Sequence, residues 1–447
     1  MTTEPSTDDV ERGGVGTPTA LPGRGSSPVG SIGASAAPET AAPERPPLGR
    51  RLGHGLDPRM VAMLLVLIAI WIVLDATTDG LFLTPRNLYN LSIQASAIAV
   101  ISCGMVFVIV ARQIDLSVGS LLAFTGVLTA FAQVRWFEGN EWAWLLSIGV
   151  GLATGAAVGV FQGWWVAYRG IPALVVTLAG FLMYRGAAFL VAEGQTIAPL
   201  DETYQRLGGG AAGSIGVTAS WVAGAVGCAW LAWYVWNTRR ERARYAADQA
   251  PVWIDAGKVV AGIAAILAFV LVMARYPDLT RADDNGNAPG MGIGVPVLIL
   301  IVVVVALTFV AHRTRFGRYV FAYGGNPESA VLAGINTRWV LVKIFIMMGI
   351  LSTVAAVITT ARLNAGANSI GQLAELYAIS AAVIGGTSLA GGVGSVPGAV
   401  VGALIIQSLD NGMVLLDVSS AKRQIAIGLV LIAAVWFDVV YTRRKTR

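Results

Sequence analysis

Charge is scarce in this chain. Of its 447 residues only 13% are charged, against 55% hydrophobic. Soluble domains carry about 25% charged residues, so an ordinary soluble globular protein is excluded. Cysteine and histidine are scarcer, two of each. Cys103 and Cys228 fall inside apolar runs, which leaves no disulfide framework and no Cys-based metal site. His54 and His312 stand at the edges of such runs, as isolated interfacial histidines. The sequence has no G-x-x-x-x-G-K-[ST], so no P-loop holds a nucleotide here. It also lacks H-E-x-x-H and a nucleophile elbow, which removes support for a membrane-embedded enzyme. No carboxylate or histidine relay is evident mid-run, which counts against a proton-coupled carrier. The start, MTTEPSTDDVERGG, is acidic and has no apolar core, unlike a secretory signal.

What is present is a series of apolar runs of roughly 20 residues, the length that spans a bilayer as helix. Mean hydropathy is +0.67. The expected fold class is an all-α polytopic membrane protein. Twelve spans are expected near 59–75, 88–110, 115–134, 143–168, 171–192, 218–236, 257–275, 293–312, 338–361, 373–392, 396–416 and 424–441. Arg clusters before the first span, after the sixth and eighth, and after the twelfth then share one side. By the positive-inside rule that side is the cytoplasm, so both termini are expected there. Acidic stretches at 201–205 and 277–287 take the other side, and Lys422 and Arg423 are the exception. The net charge of +5 follows from these flanks and is no sign of nucleic-acid binding. Residues 1–55 are rich in Pro, Gly, Ser, Thr and Ala and read as a disordered cytoplasmic tail. Residues 56–441 form the transmembrane domain, and 442–447 a basic cytoplasmic tail.

Residues 313–337 interrupt the apolar pattern with a short helix that has its own start and stop. Asn326 is a good N-cap and Pro327 suits the first helical position. Glu328 puts negative charge at the positive end of the helix dipole. Gly334 suits a left-handed C-terminal cap. About two turns of helix are not stable alone, so this one must lean on the protein or on a partner.

Two other stretches break the pattern. In QIDLSVGS, 113–120, Asp115 or Ser117 can cap span three near the cytoplasmic face, and Gly119 permits close packing. In AAVIGGTSLAGGVGSVPGAVVGA, 381–403, the glycines Gly385, Gly386, Gly391 and Gly392, with Thr387, Ser388 and Pro397, make a continuous helix untenable. Irregular backbone at membrane depth must be covered by protein or line a water cavity, so a turn packed inside the bundle is expected. The alternative is close small-residue packing with no direct substrate role. Ionisable residues within spans are Arg185, Lys343, Glu375, Asp410 and Asp438, all placed toward span ends. Each is open to a structural reading or to lining a water-filled path. Asn90, Gln94, Ser117, Asn364, Gln407 and Asn411 are further candidates for the path.

QIDLSVGS, RTRFGRYVFAYGGNPESAVLAGIN and ELYAISAAVIGGTSLAGGVGSVPGAVVGALI, in that order, closely resemble the permease subunits of bacterial ATP-binding-cassette monosaccharide importers. That group includes ribose, arabinose, galactoside and xylose permeases. EGQTIAPL and GIGVPVLILI resemble it too, and the likeness covers most of residues 60–441. The family commonly has about ten spans, so 218–275 looks like an inserted helix pair. That layout, and Tyr377 where many relatives carry an acidic residue, look most like the xylose-type branch. The resemblance implies a vitamin B12-importer-like permease fold and a homodimer with the path at its interface. It implies an ATP-binding cassette subunit at the cytoplasmic face, carrying ATP and Mg, and an external sugar-binding protein. This chain would bind no cofactor or metal. Gly324, Gly325, Asn326, Pro327, Glu328, Ser329, Ala330, Gly334 and Ile335 match the coupling helix that sits on the ATPase. A permease for branched-chain amino acids or nucleosides remains an alternative.

Overall fold

The computed structural model describes residues 58–244, 251–282 and 288–445. The expected tail at 1–55 and part of the acidic loop at 277–287 lie outside these residues. So do the last two residues and the side chain of Asp438. Among the described residues every regular element is helical, with only isolated bridges between loops. Apolar solvent dictates this, because each backbone N–H and C=O must be satisfied within its own segment.

The long helices are α1 (Pro58–Thr77), α2 (Pro85–Val110), α3 (Val118–Phe131, continued by a π-helical turn to Trp136), α4 (Ala143–Arg169) and α5 (Ala173–Ala192). After a short outer helix α6 (Glu202–Gln205) come α7 (Gly216–Arg244), α8 (Val252–Arg275) and α9 (Val295–Arg313). Two short helices follow, α10 (Arg315–Gly325) and α11 (Pro327–Leu332). The chain ends with α12 (Thr337–Leu363), α13 (Ala374–Ile384), α14 (Val396–Leu415) and α15 (Ser420–Lys445). Ten of the described helices are long and apolar enough to cross a membrane. The stretch expected as a span near 373–392 is different. It is helical only over the 11 residues of α13, about 16 Å at 1.5 Å per residue, half the hydrocarbon core.

The core is built around α2 and α12, whose apolar windows are 83% and 72% buried, against 11% for α1, α7 and α8. Helix α4 presents Gly151, Gly155, Gly159 and Gly163 to α12 at every fourth position, and a Cβ at Gly155 would strike the Gly349 backbone. Small residues thus bring the two backbones together, the favoured way for helices to associate in lipid. The pair α7–α8, expected as an insertion, packs on itself, Gly224 against Val270 and Gly262 against Leu231. It joins the bundle where Val270 and Met273 meet Tyr89, Ile93, Met291 and Ile293.

Two stretches between long helices are irregular, non-helical chain. After Val110 no helix forms until Val118. The first turn of α3 falls near the bundle's middle, because Leu122 shares a cavity with Ile93 and Ile358, far from the Val110 end of α2. Residues 364–373 likewise run inward from the end of α12. Gly366 exchanges two backbone hydrogen bonds of 2.9 Å with Ile197, and Gly371 approaches Gly119. Helices α3 and α13 therefore both begin inside the bundle, with their N-termini close together. Discontinuous helices of this kind tend to lie at transport sites.

Candidate functional site

The segment expected to couple to an ATPase forms as its local sequence dictates. Asn326 Oδ1 accepts from the Ser329 amide at 3.0 Å, and Pro327 stands at the first turn. Gly334 has φ +76°, and the Ile335 amide closes the helix end on the Ala330 carbonyl at 3.1 Å. The helix itself ends at Leu332. Its buried anchor is Ala330, while Glu328 and Ser329 are exposed. Val331 and Leu332 project outward, Leu332 with 89% exposure, the highest of any large apolar side chain described. Local capping could not reveal this apolar tip; it depends on which face meets the protein.

One side chain ties this segment to the bundle. Arg112 donates through Nε to the Gly324 carbonyl at 2.7 Å and through Nη2 to the Gly325 carbonyl at 2.8 Å. It thus places a cation at the C-terminal, negative end of α10. Arg112 adopts φ +60° at the end of α2, where the helix gives way to irregular chain. Beside it, burial pushes the Tyr323 phenol up against the lowering pull of Arg112. Gly324 is buried, and a Cβ there would strike the Val110 carbonyl. The same carbonyl accepts from the Gly392 amide at 2.9 Å.

The glycine-rich stretch is therefore broken, as its composition requires, but its place differs from the expected interior turn. Gly385 and Thr387 are buried, whereas Leu389 and Val393 are 39% and 54% exposed. Ser388 accepts from its Oγ side the Ala390 amide, and its own amide bonds to the Val393 carbonyl at 3.0 Å. Gly386, Gly391 and Gly392 have φ of +87°, +86° and +74°. The turn lies at the bundle end beside Gly324 and Gly325, because Gly391 and Gly392 offer flat backbone to Arg112 and to the α10 end.

Asp115 and Ser117 also differ from expectation. Neither caps α3 through its side chain. Asp115 Oδ1 accepts from both the Ser117 amide, at 2.8 Å, and the Ser117 hydroxyl, at 2.7 Å. Gln162 Nε2 then donates to Ser117 Oγ at 2.7 Å. Both residues are buried, at 1% and 0% exposure, rather than lying near a face. Burial is tolerable because the polar atoms satisfy one another and the irregular backbone. Gly119 packs against Gly371 and Glu375. Glu375, expected near an outer span end, sits instead at the first turn of α13, 5% exposed. Arg185 Nη1 reaches the Asn368 and Ile370 carbonyls, the latter at 2.9 Å.

A cavity of about 240 Å³ opens where α2, α3, α12, α13 and α14 meet the turn residues Gly371 and Gln372. Its polar lining is Gln94, Thr359, Arg362, Gln372, Tyr377, Gln407 and Asp410, set among Ile93, Ala97, Leu122 and Ile358. It brings together two expected path residues, Gln94 and Gln407. Asn411 is instead engaged by Asn87 Nδ2 at 2.9 Å, and Asn364 Oδ1 accepts from the Leu200 amide at 2.8 Å. Asn90 is not among the lining residues. Sequence reasoning missed Thr359, Arg362 and Gln372 here. Polar pairs three apart, Thr359 with Arg362 and Gln407 with Asp410, were the available signal. Asp410 Oδ1 also takes Arg423 Nη1 at 2.9 Å, which pairs one of the two basic residues that stood outside the expected charge pattern. Among the described residues no cluster could hold a metal ion.

Comparison with known proteins follows the same lines. A family model described as branched-chain amino acid transport system / permease component matches residues 87–435. A xylose transport system permease protein of Escherichia coli K12 is 38% identical over 391 residues, 87% of this chain and 94% of the relative. Its counterpart in Haemophilus influenzae is 40% identical over 378 residues, 84% and 95% of the two chains. A ribose import permease protein of E. coli K12 is 31% identical over 383 residues, 86% and 94%. No solved structure matches.

Proposed function

This chain belongs to the permease family of branched-chain amino acid transport system type, a multi-pass membrane component of transporters, and on that premise we propose that it translocates a monosaccharide, xylose or a similar sugar, into the bacterial cytoplasm. The observation that carries the sugar is similarity along nearly the whole chain to xylose permeases at 38% and 40% identity. The family description names branched-chain amino acids, and a permease for these or for nucleosides is the second reading. The cavity favours sugar. It offers amide, hydroxyl, guanidinium and carboxylate groups suited to a polyol among apolar walls.

In this reading the chain does no chemistry. A separate cassette subunit binds ATP and Mg, and an external binding protein delivers the sugar. Two permease copies form the unit, and both termini lie in the cytoplasm. Twelve crossings result if residues 364–384, part turns and part helix, count as one. Residues 218–275 are the inserted pair on a vitamin B12-importer-like frame. Closure of the cassettes pushes α11 through its apolar tip. The push reaches α2 and the irregular segment 111–117 through Arg112, and from there the start of α3 beside Gly371 and Glu375. Alternating access then exposes the cavity to one side or the other.

Reconstitution tests this. The permease, its co-purified ATPase and its binding protein are placed in liposomes, and uptake of labelled xylose is measured against ribose, arabinose, glucose, leucine and adenosine. Vanadate-sensitive uptake in which pentoses compete and leucine does not is the expected result. Leucine or adenosine uptake would replace the sugar reading. Uptake that survives vanadate but dies with an uncoupler would replace the cassette reading.

A further inference from the structure

The inserted pair carries a second cavity, of about 190 Å³, unrelated to the sugar path. It lies at the end of α7 and the start of α8. Tyr234, Val235, Thr238, Arg239 and Arg242 line one wall, Asp255 and Lys258 the other. Three cations face one carboxylate. Asp255 already holds two of them, Arg239 at 3.0 Å and Lys258 at 3.0 Å. That fixes their side chains toward the opening. Among the described residues Arg242 has no carboxylate partner.

The surroundings place this cavity at a membrane surface. Helix α7 has 29 residues, about 43 Å of helix, well beyond the ~30 Å hydrocarbon core. Its last turns therefore stand in the headgroup region. Trp230, Trp233, Trp236 and Trp253 are 51–66% exposed just before that level, the composition of an interfacial aromatic belt. Along α7, Val222, Val226, Trp230 and Tyr234 recur at every fourth position, all at least 51% exposed. They form an apolar stripe about 18 Å long that ends at the mouth of the cavity. An apolar stripe running into a basic cavity matches one kind of molecule, with a chain for the stripe and an anion for the cavity.

We propose that the cavity between α7 and α8 binds the phosphate headgroup of an anionic phospholipid, whose acyl chain lies along the α7 stripe. Arg242, which has no carboxylate partner among the described residues, supplies one cation, and Arg239 and Lys258 share theirs with Asp255. A zwitterionic phospholipid gains less, because its own ammonium opposes the three cations. The helix end that lines the cavity is also tied to the rest of the bundle. Glu241, one residue from Arg242, lies 3.9 Å from Arg313 at the root of the coupling segment.

The test uses the full-length chain in detergent, with retained lipid counted by native mass spectrometry after addition of phosphatidylglycerol or phosphatidylcholine. Phosphatidylglycerol should be retained selectively. R239Q/R242Q/K258Q should weaken retention by about five-fold for each cation removed. R244Q, a cation at the same helix end but outside the lining, should leave it unchanged. D255N should strengthen retention, an outcome that misfolding cannot produce. Equal retention by wild type and the triple variant, or weaker retention by D255N, would overturn the proposal. Displacement by inorganic phosphate as readily as by phosphatidylglycerol would overturn the lipid in favour of a soluble anion. Retention of an acidic peptide in preference to both would overturn it in favour of a protein partner.

Discussion

Arg112→Ala removes two hydrogen bonds at a single stroke, those to the Gly324 and Gly325 carbonyls at 2.7 and 2.8 Å. Hydrogen bonds from a charged donor contribute roughly 1.5–3 kcal/mol each when buried. Here the Nε contact is half-buried and the Nη2 contact exposed, so solvent screening lowers the pair to about 2 kcal/mol in total. At 1.4 kcal/mol per decade that is roughly a thirty-fold change in the balance between docked and loosened coupling segments. Global unfolding should hardly change, since Arg112 is exposed and α2 keeps its packing against α12. The loss should therefore be local. Hydrogen exchange resolved by mass spectrometry should show amides of 326–335 exchanging roughly thirty-fold faster, with α2 unaffected. In the reconstituted complex, ATP hydrolysis should persist while sugar uptake falls. Arg112→Lys, which keeps the charge but not two fixed donors, should fall between. Unchanged exchange in 326–335 together with full uptake would refute the idea that Arg112 links the coupling segment to α2.

Other outcomes follow from the same geometry. Gly119→Ala places a methyl on the Gly371 carbonyl and on Glu375 Oε2, so overpacking should cost roughly 1–3 kcal/mol and lower the melting temperature. Removing the Glu375 side chain as well should restore only part of that, because the carbonyl stays. Leu332→Asp should leave the permease folded, since Leu332 is 89% exposed, yet reduce co-purification of the ATPase by tenfold or more, as about 1.4 kcal/mol of lost apolar contact would. Normal co-purification would clear Leu332 of a docking role. Gly334→Pro, at φ +76°, cannot keep the helix end and should uncouple hydrolysis from uptake. Cysteines at positions 241 and 332 should resist an impermeant external reagent while one at 284 is labelled; external labelling at 332 would reverse the orientation.

Much of this was legible before any tertiary structure. The run lengths and the shortage of charge fixed a helical membrane protein, because lipid leaves the backbone few alternatives. Asn326, Pro327 and Gly334 announced a capped helix, because capping is settled by atoms within four residues of one another. The ordered motifs announced the family. What lay beyond reach depended on partners distant in the chain. Asp115 and Ser117 read as a helix cap because their local preference favours it. The bundle instead holds residues 111–117 as irregular chain, with Gln162 and the α5 hydroxyl of Thr177 supplying the bonds. Glu375 read as interfacial because the turns at 364–373 carry no periodic signal. Arg112 gave no sign at all, since its two acceptors lie 212 and 213 residues away.

The sequence by itself determined that the chain crosses a membrane as helices, where its short capped helix stands, and which family it joins. Only the tertiary structure decided that α3 and α13 begin inside the bundle after irregular chain, and that Gln94, Gln407 and Asp410 share one cavity. It alone decided that Arg112 ties the coupling segment to the core. The reason is the range of the forces. Hydropathy and capping act within a few residues, whereas close backbone contact at Gly119, Gly155 and Gly324 exists only after elements far apart in the chain have packed.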